Sequence, residues 1–393
     1  MVPSLANAAS PTNKIVLTPN TQLQIQGSST FSAATRNQST AFEQKQFSDG
    51  TNNRNEGNPA LENNSQLYLK LENKASTFAK NKFGVTLKVE SEASSAQNKG
   101  TINADQGFVY ADSETFGKFE LGDNVAVNQK MKVGPASFAR GAGGINGNYL
   151  KYINLPTSSQ FILIAQSPIG HSGYASNGSQ LNQDSIKILR NGSFNGAEDA
   201  TKLNYYTPRI AGLQIGASYT PSTANSIVSS TVFGGQTNAI SDVISAGANY
   251  TDNFENFDYA FSATTEQGRS KTTSQNNLSS YDIATTMAYF GFTFGASYGN
   301  WKKSLQSNDQ NFKNATYKTL GISYQIGHLS VSLTNLKSSF QKNDYQATSL
   351  GLDYKLSKAF MPYFEITQFK FSPTQNIASN AGFVALGGFV LSF

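Results

Sequence analysis

Large apolar residues recur at every second position in segment after segment of this chain, and that period leaves few folds open. At the C-terminal end Phe393, Leu391, Phe389, Ala385 and Phe383 share one side, with Gly387 interrupting the row. Ser392, Val390, Gly388, Leu386 and Val384 share the other. Successive side chains of a β-strand point to opposite faces, so the pattern makes a strand with one oily face. Leu67, Leu69 and Leu71 repeat it against Tyr68, Lys70 and Glu72, as do Phe83, Val85, Leu87 and Val89 against Gly84, Thr86, Lys88 and Glu90. Phe119 and Leu121 alternate with Lys118 and Glu120.

Further alternating segments centre on Leu23–Phe31, Phe108–Tyr110, Leu203–Tyr205, Leu213–Tyr219, Ala246–Tyr250, Phe257–Ala263, Ile283–Tyr289 and Phe292–Tyr298. Four more centre on Leu320–Ile326, Leu329–Leu333, Leu350–Leu356 and Tyr363–Phe369. With the C-terminal segment these make about sixteen candidate strands, many of roughly ten residues, the length a tilted strand needs to cross a bilayer. The connections alternate in kind. Asn253–Asn256, Phe290-Gly291 and Gly327-His328 are tight, whereas Asn37–Asn64, Ser222–Asn238 and Gly268–Ser279 are long and polar. Short turns at one end and long loops at the other describe an all-β protein, a transmembrane antiparallel β-barrel.

Composition agrees. Hydrophobic residues make up only 38% of the 393 residues and aromatic ones 12%, with 27 Phe and 18 Tyr. A wet-centred barrel needs one apolar face per strand, so it reads as hydrophilic on average. No run approaches the roughly 18 apolar residues of a transmembrane helix. There is no cysteine, which excludes disulfides and thiolate metal sites. The net charge of +5 is not gathered into a tail, which argues against nucleic-acid binding. Ala6-Asn7-Ala8 resembles the small-residue end of a secretory signal, so residues 1–12 read as a processing remnant or flexible tail. Residues 13–393 then form a single barrel domain.

From Asn124 to Ala200 the alternation fails, over a length too great for an ordinary connection. Gly134-Pro135, Arg140–Gly144 and Asn146–Asn148 mark bends, while Phe138, Ile145, Tyr149, Tyr152, Ile153 and Phe161–Ile164 call for a packing partner. A loop this apolar is suited to folding inside a barrel. The glycine-rich piece lacks the Gly-Lys-Ser/Thr ending of a phosphate cradle. Between Asn124 and Gln160 stand Lys130, Lys132, Arg140 and Lys151, with no Asp or Glu. Inside a pore such charges favour anions; on an outer surface they are merely solvated.

Catalytic chemistry has no support. Only His171 and His328 are present, and no Ser-His-Asp or paired-carboxylate arrangement has a context. No cofactor and no metal site is expected. Asp49, Glu56 and Asp252–Asp258 are possible loop ligands for divalent cations, solvated charge being the plainer reading.

Gly107–Tyr110 followed by Phe116–Gly122 resembles the strand pair that precedes the constriction loop of Gram-negative general porins. Asn204–Leu213 resembles that family's Tyr-x-x-Pro-x-x-x-Gly-hydrophobic turn, and Phe393 matches its C-terminal aromatic. The resemblance implies a sixteen-stranded outer-membrane barrel that forms homotrimers and passes small hydrophilic solutes, with residues 124–200 as the constriction loop in the lumen. It implies contact with membrane lipid and lipopolysaccharide, and recognition of Phe393 by the barrel-assembly machinery. Two departures stand out: the first half of this loop offers no carboxylate, and the loop is long. The candidate pore-lining residues are Lys70, Lys88, Lys118 and Glu120 on the wall and Lys130, Lys132 and Arg140 on the loop. Glu90 and Glu120 also face inward, so any anion preference should be mild. The alternatives are a substrate-selective porin with Tyr149 and Tyr152 as ladder candidates, a plugged surface barrel, and a soluble all-β binding protein.

Overall fold

The structure is a computed structural model that describes residues 13–43, 58–74, 81–94, 101–153, 200–223, 240–271, 273–304, 306, 308, 311–340, 343–373 and 379–393. The proposed remnant at 1–12 and the apolar Phe161–Ile164 fall outside these residues. Among the described residues seventeen strands form one antiparallel sheet. They are β1 (Asn13–Thr18), β2 (Thr21–Asn37), β3 (Ala60–Lys74), β4 (Lys82–Ser94), β5 (Thr101–Ser113) and β6 (Gly117–Asp123). Then follow β7 (Thr201–Tyr206), β8 (Leu213–Ser222), β9 (Ile240–Phe254), β10 (Phe257–Ser270), β11 (Leu278–Tyr289) and β12 (Phe292–Lys302). The last are β13 (Ala315–Ile326), β14 (Leu329–Phe340), β15 (Asn343–Tyr354), β16 (Phe360–Ser372) and β17 (Asn380–Ser392).

Sixteen of these strands, β2 to β17, each pair with the next, and β17 pairs back onto β2 from Phe383↔Asn37 to Ser392↔Ser28. The ring is closed, which removes the unpaired edges that an open sheet would expose. Phe393 finishes the seam: its N–H donates to the Gly27 carbonyl and its carbonyl accepts from the Gly27 N–H, both at 2.9 Å. The short β1 was not among the expected strands. It pairs with the start of β2, Ile15 facing Leu23 and Asn13 facing Ile25, just beyond the end of β17.

The period-2 pattern decides which face each residue takes. Leu121, Ile215, Ile283, Phe294, Leu333 and Leu350 are exposed on the outside, as lipid-facing residues must be. Aromatics crowd the outer face at the tight-turn end, with Phe292 and Tyr324 rings 4.3 Å apart and Tyr289 and Phe290 4.5 Å apart. That is where an interfacial girdle belongs. The inside is divided. Inward residues toward the long-loop ends of β14 to β17, among them Leu336, Phe340, Tyr345, Phe369, Phe371 and Leu386, are buried in an apolar cluster rather than wet.

Candidate functional site

What fills that side of the lumen is the connection between β6 and β7, described from Asn124 to Ile153. It follows the inner wall around the barrel. A single helical turn, Val127–Lys130, lies against β8, β9 and β10. Short 3-10 turns at Pro135–Ser137, Gly144–Asn146 and Asn148–Lys151 carry it past β12 and β13, then β14 to β16, then β17. Tyr152 ends the course by donating its hydroxyl to Glu62 of β3 at 2.9 Å. Where the loop approaches the wall most closely the wall has glycine. A Cβ on Gly321 would lie 2.5 Å from Pro135 Cβ, and one on Gly295 2.8 Å from the Phe138 ring.

Loop backbone groups need partners, and the wall supplies them. The Val127 N–H donates to Ser218 Oγ at 2.7 Å and the Val133 N–H to Ser262 Oγ at 3.1 Å. Asn249 Nδ2 donates to the Met131 carbonyl at 3.0 Å. Two wall carboxylates do the same for the glycine-rich bend. Asp353 accepts from the N–H groups of Arg140 and Gly141, both at 2.9 Å, and Glu365 accepts from Gly144 at 2.9 Å. The carboxylates missing from the loop are thus found on the wall, holding the loop's backbone. Ile145, Tyr149, Tyr152 and Ile153 then sink into the apolar cluster, Tyr149 sharing a hydroxyl–hydroxyl bond of 2.7 Å with Tyr345. Tyr149 and Tyr152 are almost wholly buried, so they fix the loop in place and present no rings for a passing solute.

The arc from β3 to β6 has a different inner surface, made of lysines paired with acids. Lys70 lies 2.9 Å from Glu72, which also accepts from Gln22 at 2.9 Å and Tyr110 at 2.8 Å. Lys88 is held between Asp105 and Glu90, the latter at 3.2 Å. Glu120 is a hub: Lys118 and Lys130 each reach it at 2.7 Å, Asn124 at 2.6 Å and Asn204 at 3.1 Å. The ammonium groups of Lys70 and Lys118 both sit over the Tyr110 ring, 5.1 and 5.2 Å from its centre. On the loop, Lys132 lies 3.1 Å from Asp282 and touches Tyr317. Burial lowers the pKa of Lys130, because a low-dielectric site disfavours the ammonium, and Glu120 opposes that shift.

All seven nominated charges therefore face the lumen side of the wall or lie on its loop. Lys118, Glu120 and Lys130 meet directly; Lys70 joins them through Tyr110; Lys88 and Lys132 stand apart with their own acids. Arg140 differs. Among the described residues its guanidinium has no ion pair, and it borders a cavity of about 330 Å³ beneath the loop with Phe138, Asp258, Ser323 and Gln325. The anchors Asp353 and Glu365 were not foreseen. Glu365 carries a signal in the sequence, an inward acid with no lysine two residues away, unlike Lys70-Glu72, Lys88-Glu90 and Lys118-Glu120; Asp353 has Lys355 at that spacing and carries none.

A family model described as Gram-negative porin matches residues 1–374. Uncharacterized proteins of Rickettsia felis and Rickettsia conorii are 27% and 28% identical, each match covering 71% of this chain and 74% of the relative. Among solved structures, the anion-selective porin from Comamonas acidovorans superposes with a TM-score of 0.60 at 14% identity, covering 95% of this chain and all of that one (100%). A mutant of the Rh. blastica porin gives 0.54 at 12% identity, with 94% and 100% covered. At such identities these two speak for the fold.

Proposed function

The chain belongs to the Gram-negative porin family, and from that premise we propose that it is a water-filled channel for passive diffusion of small hydrophilic solutes and ions. Its place is the bacterial outer membrane, as family and closed barrel imply. The observation that carries the reading is the division of the lumen. The loop and its apolar cluster occupy the wall from β8 round to β17, while the inner faces of β3 to β6 stay hydrophilic and charged. A passage along that charged arc would be bounded by Lys70, Lys88, Lys118 and Glu120 on the wall and by Lys130 on the loop, with Lys132 and Arg140 as further candidates on the loop's β10 to β15 side.

Pairing supports a mild preference. A lysine beside its carboxylate presents a dipole to a passing ion, and most of its monopole field cancels. Arg140 makes no such ion pair, though the Asp353 carboxylate that accepts from its backbone N–H offsets part of its charge, and we propose that it adds to any anion preference, the property named for the Comamonas acidovorans porin. Recording single channels in a planar bilayer under a salt gradient tests both levels. Opening with a reversal potential on the anion side is expected, and Lys130→Glu, Lys132→Glu and Arg140→Glu together should move it to the cation side. A folded barrel that never conducts would overturn the channel, and an unmoved reversal potential would remove the three residues from the passage.

We also propose that it assembles as a homotrimer. On the outer face of β2 and β3, Ser29, Asn63 and Ser65 bond one another at 2.9–3.0 Å, and Ser91 of β4 stands in register beside Ser65. A polar cluster flanked by Leu67, Leu69 and Leu71 suits a protein neighbour better than lipid.

A further inference from the structure

A cavity of about 330 Å³ lies between the loop and the inner wall of β10 to β14, toward the tight-turn end. Its roof is loop, its sides are strand, and both are fixed. The Val133 N–H is held by Ser262 at 3.1 Å and the Arg140 N–H by Asp353 at 2.9 Å. Between these two points the Phe138 ring packs on glycines of the wall, where a Cβ on Gly321 would stand 3.2 Å from its Cδ2. Phe138 and Arg140 therefore line the cavity from anchored backbone, as the walls of a preformed binding site do.

The wall of this cavity is polar. Thr293 of β12 pairs with Ser323 of β13, and Gln325 of β13 with Ser330 of β14, all four facing the cavity. Among the described residues their side chains make no hydrogen bond to protein groups. Nor does the Arg140 guanidinium, because Asp353 spends its two carboxylate oxygens on the N–H groups of Arg140 and Gly141. A guanidinium fork matches a carboxylate through two parallel bonds. On the β10 side Asp258 puts a carboxylate of its own on the same cavity. A ligand that is only an anion would be drawn by Arg140 and repelled by Asp258. A ligand with an ammonium as well as a carboxylate meets both favourably.

We propose that this cavity binds a small zwitterion of amino-acid or dipeptide size. Its carboxylate would sit on Arg140, its ammonium toward Asp258, and its peptide group among the hydroxyls and amide of Thr293, Ser323, Gln325 and Ser330. A volume of about 330 Å³ is near the lower end for small-molecule sites, which limits the ligand to that size. The N–H and C=O groups of such a ligand replace the bonds that these polar side chains otherwise make to water. The inference rests on the channel reading only for the route by which a solute arrives.

Saturation-transfer NMR of the folded protein in detergent, titrated with alanyl-alanine, reads binding without any current. Capping one end of the probe tests each contact on the wild-type protein. Alanyl-alanine amide and N-acetyl-alanyl-alanine should each bind on the order of 10-fold more weakly, as loss of one charge-assisted contact implies. Arg140→Gln should bind the free dipeptide and its amide alike, and Asp258→Asn should no longer distinguish the free from the acetylated dipeptide. Heat-modifiable mobility on gels shows that both variants are folded barrels. Capped and free dipeptides that bind the wild type equally, or no binding of alanyl-alanine at all, overturn the proposal. So does a folded Arg140→Gln barrel that keeps the preference for the free carboxylate. A barrel that binds the dipeptide and passes no current would count against the channel reading alone. One that conducts without binding it would count against the site alone.

Discussion

At the scale of single residues, the seam of the barrel turns on one glycine. A Cβ on Gly27 would stand 2.2 Å from Cζ of Phe393, whose ring covers that position on the outer face. Gly27→Val forces the ring away or strains the closing pair, at a cost of about 1–3 kcal/mol for overpacking. The heat-stable folded fraction on semi-native gels should fall, and adding Phe393→Leu should restore part of it. Unchanged heat stability would mean that the ring contributes nothing to closure. Residue-level legibility was uneven for a physical reason. Lys70-Glu72, Lys88-Glu90 and Lys118-Glu120 are readable as same-face neighbours because a strand brings i and i+2 together. The Glu120–Lys130 and Asp282–Lys132 pairs join a strand to a loop and have no such spacing.

At the scale of elements, strands were legible and the loop's course was not. Each strand carries its own face pattern, whereas the path of Asn124–Ile153 is decided by partners scattered over β8 to β17 and β3. β1 escaped notice because its six residues are too few to establish a period. The loop's anchors can be tested as a set. Asp353→Ala with Glu365→Ala strips the acceptors from three backbone N–H groups, each of which costs about 1–3 kcal/mol if left buried and unsatisfied. The loop should work loose while the sixteen strands stay paired. Single-channel traces should become larger and noisier, with barrel β-content unchanged by circular dichroism. Quiet traces of wild-type amplitude would show that the apolar contacts of Ile145, Tyr149 and Tyr152 hold the loop without the carboxylates.

Across the whole molecule, closure and assembly separate cleanly. The ring of β2 to β17 is completed within one chain by β17 on β2, so a trimer is not needed to satisfy any strand edge. Asn63→Lys with Ser65→Arg, placing charge in the polar outer cluster, should therefore yield monomeric barrels by native gel and light scattering, with heat-modifiable mobility retained. Trimers that persist would put the contact elsewhere on the wall. The division of the lumen carries a further meaning. Circumference is set by strand number, yet the inner wall from β8 to β17 serves as a socket for about thirty residues of loop. Bore and frame are thus specified by different stretches of sequence. Substitutions in the loop or its glycine-lined socket can re-bore the protein, wider or narrower, while the surface that meets lipid and neighbours stays as it is.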